Sequence, residues 1–422
     1  MPVVLDPLRD LLDRVGNPQL AFRTVHVAGT KGKGSVAALI EAGLHRAGLK
    51  VGRFSSPHVE RVTERVTFGG HEIDERSLAA ALERAWSVRE EAFRQGGPGY
   101  AVTRFDLETL AAILAFAEAG VDWAILECGM GGRSDSTNVV DGEVAVLTNV
   151  GLEHTAILGT THTAIAYQKV GILKRGATLV TAVEPDGEAG AVVRAAAEEL
   201  GCPIVFRPPR PGEAIAEINT GLAQAVLDEL GRRGVSICRP DLPPGPVAGW
   251  LVDAETRRAA RLPGRMERFD LPLATVANGL DYAPRAFLPV ILDGAHVPFN
   301  LEAVLADLGN MADLAGPCAV VFGLGRDKQA REMLNVLKPH ASIVICTRTT
   351  SGPPSYEPSE LRNLADSLGL AAVVAAHPGD AVAKASAFAA AQDWILVTGS
   401  LHVVGAVRPI LHRLVTPRPD QL

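Results

Sequence analysis

The chain has 422 residues, 47% of them hydrophobic and 21% charged, with a formal net charge of −7. Single cores stop growing beyond roughly 250–300 residues, so this much apolar material implies two domains. The acidic balance argues against nucleic acid and anionic lipid as partners, no window is long and apolar enough to cross a bilayer, and Asp6, Arg9 and Asp10 interrupt the N-terminal stretch where a secretory signal would be apolar.

In chain order, a strand over 24–27 runs into a glycine-rich turn and a helix over 35–47. Strands follow at 51–54, 124–126, 144–147 and 178–182, with helices at 107–119, 161–173 and 190–200. Apolar β-branched runs alternating with helical patterns imply a parallel sheet covered on both faces. The polar, proline-rich stretch 239–246 interrupts the pattern as a loop or domain border. Alternation then resumes, with strands at 288–292, 319–322, 342–346, 371–375 and 394–397 and helices at 301–308, 330–337, 359–368 and 381–391. The expected fold is α/β: a P-loop-type doubly wound sheet domain over 1–258, then a smaller Rossmann-like α/β domain over 262–422. The five cysteines (Cys128, Cys202, Cys238, Cys318 and Cys346) are scattered and never form a CxxC pair. They read as small buried residues of a reducing compartment, so a cytoplasmic protein is expected, and nothing demands more than a monomer.

Residues 24–35, TVHVAGTKGKGS, carry the most information. Gly29, Thr30, Lys31, Gly32 and Gly34 let backbone N–H groups curl around phosphate oxygens. Lys33 supplies a point charge, and the Ser35 hydroxyl is placed for Mg²⁺ at the start of a helix. Three residues separate Gly29 from Lys33, and Gly34 separates Lys33 from Ser35, a departure from the commonest phosphate loop. The bland alternative is a glycine-rich turn with two solvated lysines. It does not account for strand, glycines, lysine, serine and apolar helix falling in order.

An apolar strand ends at Glu127, ahead of a second glycine-rich turn, Cys128-Gly129-Met130-Gly131-Gly132. An acid at the carboxyl end of a parallel strand faces the crevice where α/β sheets bind ligands, and a carboxylate suits Mg²⁺. The next strand leads to Thr148, Asn149 and His154, and the histidine fits either a metal ligand or a loop cap. In the helix at 161–173, Lys169 shares an apolar face with Ile165 and Ile172. Such a lysine must snorkel, pair or lose its charge; the sharper reading is a modified lysine near the metal.

Taken together, the segments HVAGTKGKGS (26–35), SSPHVERVTERV (55–66), LECGMGGRSDSTN (126–138), TNVGLEHTAILG (148–159), QKVGILK (168–174), LPGRMER (262–268), LDGAHVP (292–298) and GSLHVVGAVR (399–408) resemble the folylpolyglutamate synthase/dihydrofolate synthase family of the Mur ligase superfamily. The resemblance implies an ATP-binding Mur-ligase-like first domain and a ligase second domain. It implies that residues 29–35 bind the ATP phosphates, with Lys33 near the γ-phosphate. By the same resemblance Ser35, Ser56, Glu127 and His154 surround Mg²⁺, Lys169 is carbamylated, and Arg265, Asp293 and His296 meet the nucleotide. Lys33, Lys169 and His154 are the catalytic candidates. Three positions and one segment depart from the family pattern: Val297 stands for asparagine, Asp106 for glutamate and His402 for tyrosine, and the segment between Arg265 and Asp293 is longer.

The implied reaction joins the amine of L-glutamate to a pterin acid or folate, dihydropteroate or tetrahydrofolate. A carboxylate is a poor acyl donor, so ATP converts it first to an acyl phosphate, and the protein supplies positioning and positive charge. A peptidoglycan Mur ligase is the nearest rival, but it needs a further domain ahead of the phosphate loop. A P-loop kinase leaves Asp293 and His296 unexplained. A non-catalytic nucleotide switch leaves Glu127, His154 and Lys169 without a purpose.

Overall fold

Alternation of side chains across buried strands builds the first sheet. The computed structural model describes residues 5–272, 287–314, 316–349, 352–388 and 394–415. These divide into two units, Met1–Arg261 and Leu262–Leu422. In the first unit the strands are β1 (Arg23–Ala28), β2 (Val51–Phe54), β3 (Val66–Phe68), β4 (His71–Glu72), β5 (Trp123–Glu127), β6 (Val144–Leu147), β7 (Thr178–Thr181) and β8 (Ile204–Phe206). They lie in the order β4-β3-β2-β5-β1-β6-β7-β8.

On one face Val25, Val27, Val51, Trp123, Ile125, Val146 and Val180 pack under the helices Lys33–Arg46 and Ile215–Arg232. The residues between them turn the other way. Phe54, Ala124 and Leu126 meet the helices Asp6–Arg14, Glu75–Arg94 and Arg104–Ala119, while Ala28, Ala145, Leu147 and Leu179 meet Glu188–Leu200. A period of two with both faces covered explains why these strands read as unbroken apolar runs. The Arg104–Ala119 helix shows how ends are set: Thr103 and Asp106 exchange hydrogen bonds at its start, and Gly120 (φ 62°) ends it in the left-handed conformation.

The second unit contains β9 (Glu267–Pro272), β10 (Phe287–Leu292), β11 (Cys318–Phe322), β12 (Ala341–Cys346), β13 (Ala372–Val374) and β14 (Trp394–Thr398), ordered β13-β12-β11-β14-β10-β9. Its helices include Pro298–Gly309, Ala330–Leu337, Pro358–Ser367, Pro378–Phe388 and Leu401–Leu414.

The expected α/β architecture is present, with each sheet parallel except at one margin. The β2–β3–β4 meander and the β9–β10 pair run antiparallel. Of these, β3 and β4 have three and two residues and carry too little apolar pattern to stand out in the sequence. The helix expected over 161–173 spans only His162–Val170, because the chain leaves the helix at Gly171. Ile172 therefore does not share a helical face with Lys169, although both are buried. The proline-rich stretch is a loop of the first unit, held by a bridge between Ser236 and Pro246. The last residues of the helix expected over 381–391, and residues 273–286 of the long segment before Asp293, lie outside the described residues.

Phe116 is fully buried, with its ring centroid 6.1 Å from Phe22 and 5.6 Å from Phe68. A Cβ on Gly52 would come within 2.4 Å of that ring, so the strand lies directly on it. Phe116→Ala is expected to destabilise the protein by about 3–5 kcal/mol, read as a lowered urea midpoint at unchanged slope.

Candidate active site

Because β2, β5, β1, β6 and β7 are mutually parallel, their carboxyl ends share one edge of the sheet. The chain passes from β1 to β2 on one side, and later from β5 across to β6 on the other. That reversal makes the loops after β1, β5 and β6 the switch point where α/β sheets take ligands.

The loop after β1 is held down by the loop after β6. Thr148 donates its N–H to Ala28 O at 3.0 Å and its hydroxyl to Lys31 O at 2.6 Å. Asn149 accepts from Thr30 N at its carbonyl and from Lys31 N at Oδ1, and its amide nitrogen donates to Lys31 O. The Thr30 hydroxyl meets Gly151, accepting from its N–H at 2.9 Å. Gly29 (φ 151°) admits this contact only because it has no side chain: a Cβ would sit 1.8 Å from Thr148 Oγ1. Gly32 (φ 81°) precedes the Lys33–Arg46 helix, and a Cβ there would stand 2.6 Å from Asn219 Oδ1. The first turn of that helix, with Lys33, Gly34 and Ser35, presents backbone N–H groups as a helix start does.

Two ammonium groups meet on one carbonyl beneath the loop. Lys33 Nζ donates to Gly29 O at 3.1 Å and Thr30 O at 3.3 Å, and Lys169 Nζ donates to Gly29 O at 2.8 Å. Burial, reinforced by the charge of Lys33, brings the Lys169 ammonium down to a pKa of about 7. Lys169 thus points inward and does not snorkel.

Glu127 is 5% exposed and stands in register with Val27, while Ser56 N donates to its Oε2 at 3.3 Å. His154 (φ 52°) precedes the short helix Thr155–Leu158, is exposed, and lies 3.9 Å from Glu153 Oε1. Lys31 Nζ donates to that same oxygen at 2.9 Å. Among the described residues no three His, Cys, Asp or Glu side chains gather as a metal-binding group. One carboxylate with serine hydroxyls is nonetheless an oxygen-donor set that fits Mg²⁺, which keeps several waters and takes substrate phosphates as ligands.

In the second unit Arg265, Asp293 and His296 come together beyond the end of β10. Asp293, 5% exposed, accepts from Met266 N at 3.0 Å and Ala295 N at 2.9 Å. His296 Nδ1 donates to Gly294 O at 2.8 Å, and Arg265 Nη1 donates to Gly264 O at 3.2 Å. Gly294 N closes the group by donating to Gly264 O at 3.1 Å.

The departures from the family pattern take definite places. Val297 is buried and occupies the N-cap of Pro298–Gly309 without a side-chain acceptor, and Pro298 needs no N–H partner. Asp106 is the third residue of the Arg104–Ala119 helix and caps Thr103. The His402 ring stands over Gly352, where a Cβ would come within 2.9 Å, and burial lowers its pKa.

Several participants had no local signal in the sequence. Asn219 reaches Gly32 from a helix nearly two hundred residues away, and Glu153 pairs with Lys31 across the sheet edge. A buried group behind the loop is equally non-local. His26 Nε2 lies 2.8 Å from Thr137 Oγ1 and 3.2 Å from Cys128 Sγ, and Thr137 Oγ1 donates to Asp135 Oδ1 at 2.6 Å. Burial lowers the His26 pKa to about 3, so its ring is neutral.

Residues 27–217 match the Mur ligase middle domain, and residues 281–401 match the Mur ligase, glutamate ligase domain. The dihydrofolate synthase/folylpolyglutamate synthase of Bacillus subtilis is 30% identical over 96% of this chain and 94% of its own length. A probable bifunctional folylpolyglutamate synthase/dihydropteroate synthase of Haloferax volcanii is 33% identical over 98% of this chain, which spans 49% of that relative. Among solved structures, the bifunctional folylpolyglutamate synthase/dihydrofolate synthase of Yersinia pestis complexed with AMPPNP and Mn ion superposes with a TM-score of 0.76 at 27% identity, covering 98% of this chain and 94% of that one.

Lys169 also leaves a mark on stability. Between its folded pKa of about 7 and its ordinary 10.5, the unfolded chain holds a proton that the folded chain has released. Stability therefore climbs with pH across that window, and below it the cost of burying the ammonium is complete. Chemical unfolding from pH 6.5 to 10 is expected to show this rise in the unmodified protein and its loss in Lys169→Met.

Proposed function

The chain belongs to the dihydrofolate synthase/folylpolyglutamate synthase family, and from that premise we propose that it joins L-glutamate to a pterin acid or folate at the expense of ATP, releasing ADP and phosphate. The observation that carries this reading is the glycine-rich loop after β1, underlain by Lys33 and Lys169 on one carbonyl and flanked by Glu127.

The terminal phosphoryl group of ATP passes to the substrate carboxylate. The acyl phosphate so formed is attacked by the glutamate amine, which loses a proton as phosphate leaves. Loop N–H groups and the first turn of the Lys33–Arg46 helix cradle the phosphates, and Lys33 swings from Gly29 O to meet the charge that builds on the transferred group. Ser35, Ser56 and Glu127 would hold Mg²⁺, which when bound neutralises phosphate charge. His154 stands at the same edge, beside Glu153. Arg265, Asp293 and His296 take a nucleotide-binding role by the same reading.

A pKa of about 7 keeps a large fraction of Lys169 as the free amine at neutral pH. That amine reacts with CO₂ to give a carbamate and a proton. The product replaces a second cation beside Lys33 with an anion, which relieves their repulsion. Lys169→Ala is expected to lose most turnover and to recover part of it with added formate or acetate. Unimpaired turnover would remove the carbamate.

The activity assay is ADP release with Mg²⁺, L-glutamate and either dihydropteroate or tetrahydrofolate, with products weighed by mass spectrometry. ADP is expected only when glutamate and a pterin acid are both present, with a product heavier by one glutamyl unit. Lys33→Ala should reduce that rate by about a hundredfold or more while its circular dichroism is unchanged. ADP release without an adduct would send the assignment to another acid–amine pair.

A further inference from the structure

The Lys33–Arg46 helix carries a second charge that the phosphate chemistry does not use. Glu41 is 1% exposed, and Arg53, the cation paired with it, is 4% exposed. Glu41 Oε2 accepts from Arg53 Nε at 2.7 Å. Its Oε1 accepts from Thr67 Oγ1 at 2.8 Å and from Gly70 N at 2.9 Å. Arg53 Nη1 also donates to Ser55 Oγ. One carboxylate thereby joins the helix, β2 and the turn after β3. The alternation of β2 brings this about: Val51 faces the helix, so Arg53 does too, and Thr67 is its cross-strand partner.

Stability does not account for such a pair. Each buried charge gives up hydration worth several kcal/mol, and apolar residues of the same volume commonly serve as well or better. Its position offers a better reason. Ser35 lies six residues before Glu41, about 9 Å up the helix axis. Ser55 and Ser56 directly follow β2, whose last pair with β5 is Phe54 with Leu126, so Ser56 arrives beside Glu127 and donates its N–H to that carboxylate. Ser35, Ser56 and Glu127 are the oxygen donors assigned to the metal.

We infer that Glu41 and Arg53 are positioning residues for the divalent metal: a buried ionic strut that sets the distance between the phosphate-loop helix and the Ser56–Glu127 side of the ion. This rests on the metal assignment in the proposed function. The strut touches neither the metal nor the nucleotide. It acts by holding Ser55, and through it Ser56, at a fixed height above the helix.

The test uses the full chain and Mn²⁺ as the probe, titrated by electron paramagnetic resonance in the presence of a non-hydrolysable ATP analogue. Glu41→Leu combined with Arg53→Met fills the space without charge and is expected to melt within a few degrees of the unmodified protein. Metal-free binding of the analogue should be unchanged, while Mn²⁺ affinity falls roughly tenfold or more, the usual effect of losing outer-shell support. Ser55→Ala keeps the ion pair and should weaken Mn²⁺ by roughly threefold, the worth of one hydrogen bond. This single variant carries the test if the double variant does not fold. Unchanged Mn²⁺ affinity in a folded variant overturns the strut and leaves the ligase reading standing. An unmodified protein that takes up no Mn²⁺ with the analogue overturns the metal assignment itself.

Discussion

The first unit depends on one close approach: the backbone of Gly29 lies where a side chain would collide with the Thr148 hydroxyl. Without that contact the loops after β1 and β6 could not exchange the hydrogen bonds made by Thr148 and Asn149. The glycine-rich loop would then keep its residues but lose its shape. A loop whose own carbonyls are already committed presents its remaining donors outward without reorganising, which is what stabilising a transferred phosphoryl group requires.

Charge is buried around this loop with some consistency. Glu127 ends β5, Asp135 lies in the turn beyond it, Lys169 reaches the loop after β1 from its own helix, and Glu41 and Arg53 pair between the Lys33–Arg46 helix and β2. Unpaired, any of these would cost more than a domain can spare. Each is tied instead to backbone or to a partner: Lys169 to Gly29 O, Glu127 to Ser56 N, and Asp135 to Met130 N and Thr137. The outcome is a site whose electrostatics are set before any ligand arrives, at a cost in intrinsic stability that the large apolar cores on both faces offset.

The second unit repeats the same logic with other residues. An acid directly after a strand, Asp293 after β10, orders the turns on either side by accepting two backbone N–H groups. The positions that depart from the family pattern fall into places where backbone does the work. Val297 begins a helix without a side-chain cap, and Asp106 still closes a capping box despite its shorter side chain. Both substitutions are therefore compatible with the fold around them.

The sequence by itself determined the interior strands, the glycine-rich loop and the acid at the end of β5, because each is written within about a dozen consecutive residues. Strands buried on both faces need apolar side chains at every position, and a phosphate loop needs glycine where the backbone turns. The margins were not written so plainly: β3, β4 and β8 have two or three residues, β9 is a polar-patterned edge strand, and the end of the Lys169 helix turned on Gly171. Only the tertiary structure decided what Lys169 touches, since its partner is 140 residues away. It also decided that Lys31 pairs with Glu153, that Asn219 reaches Gly32, and that Arg53 meets Glu41. Strand order brings such residues together, and the burial and electrostatics that set a group's charge come from neighbours distant in the chain.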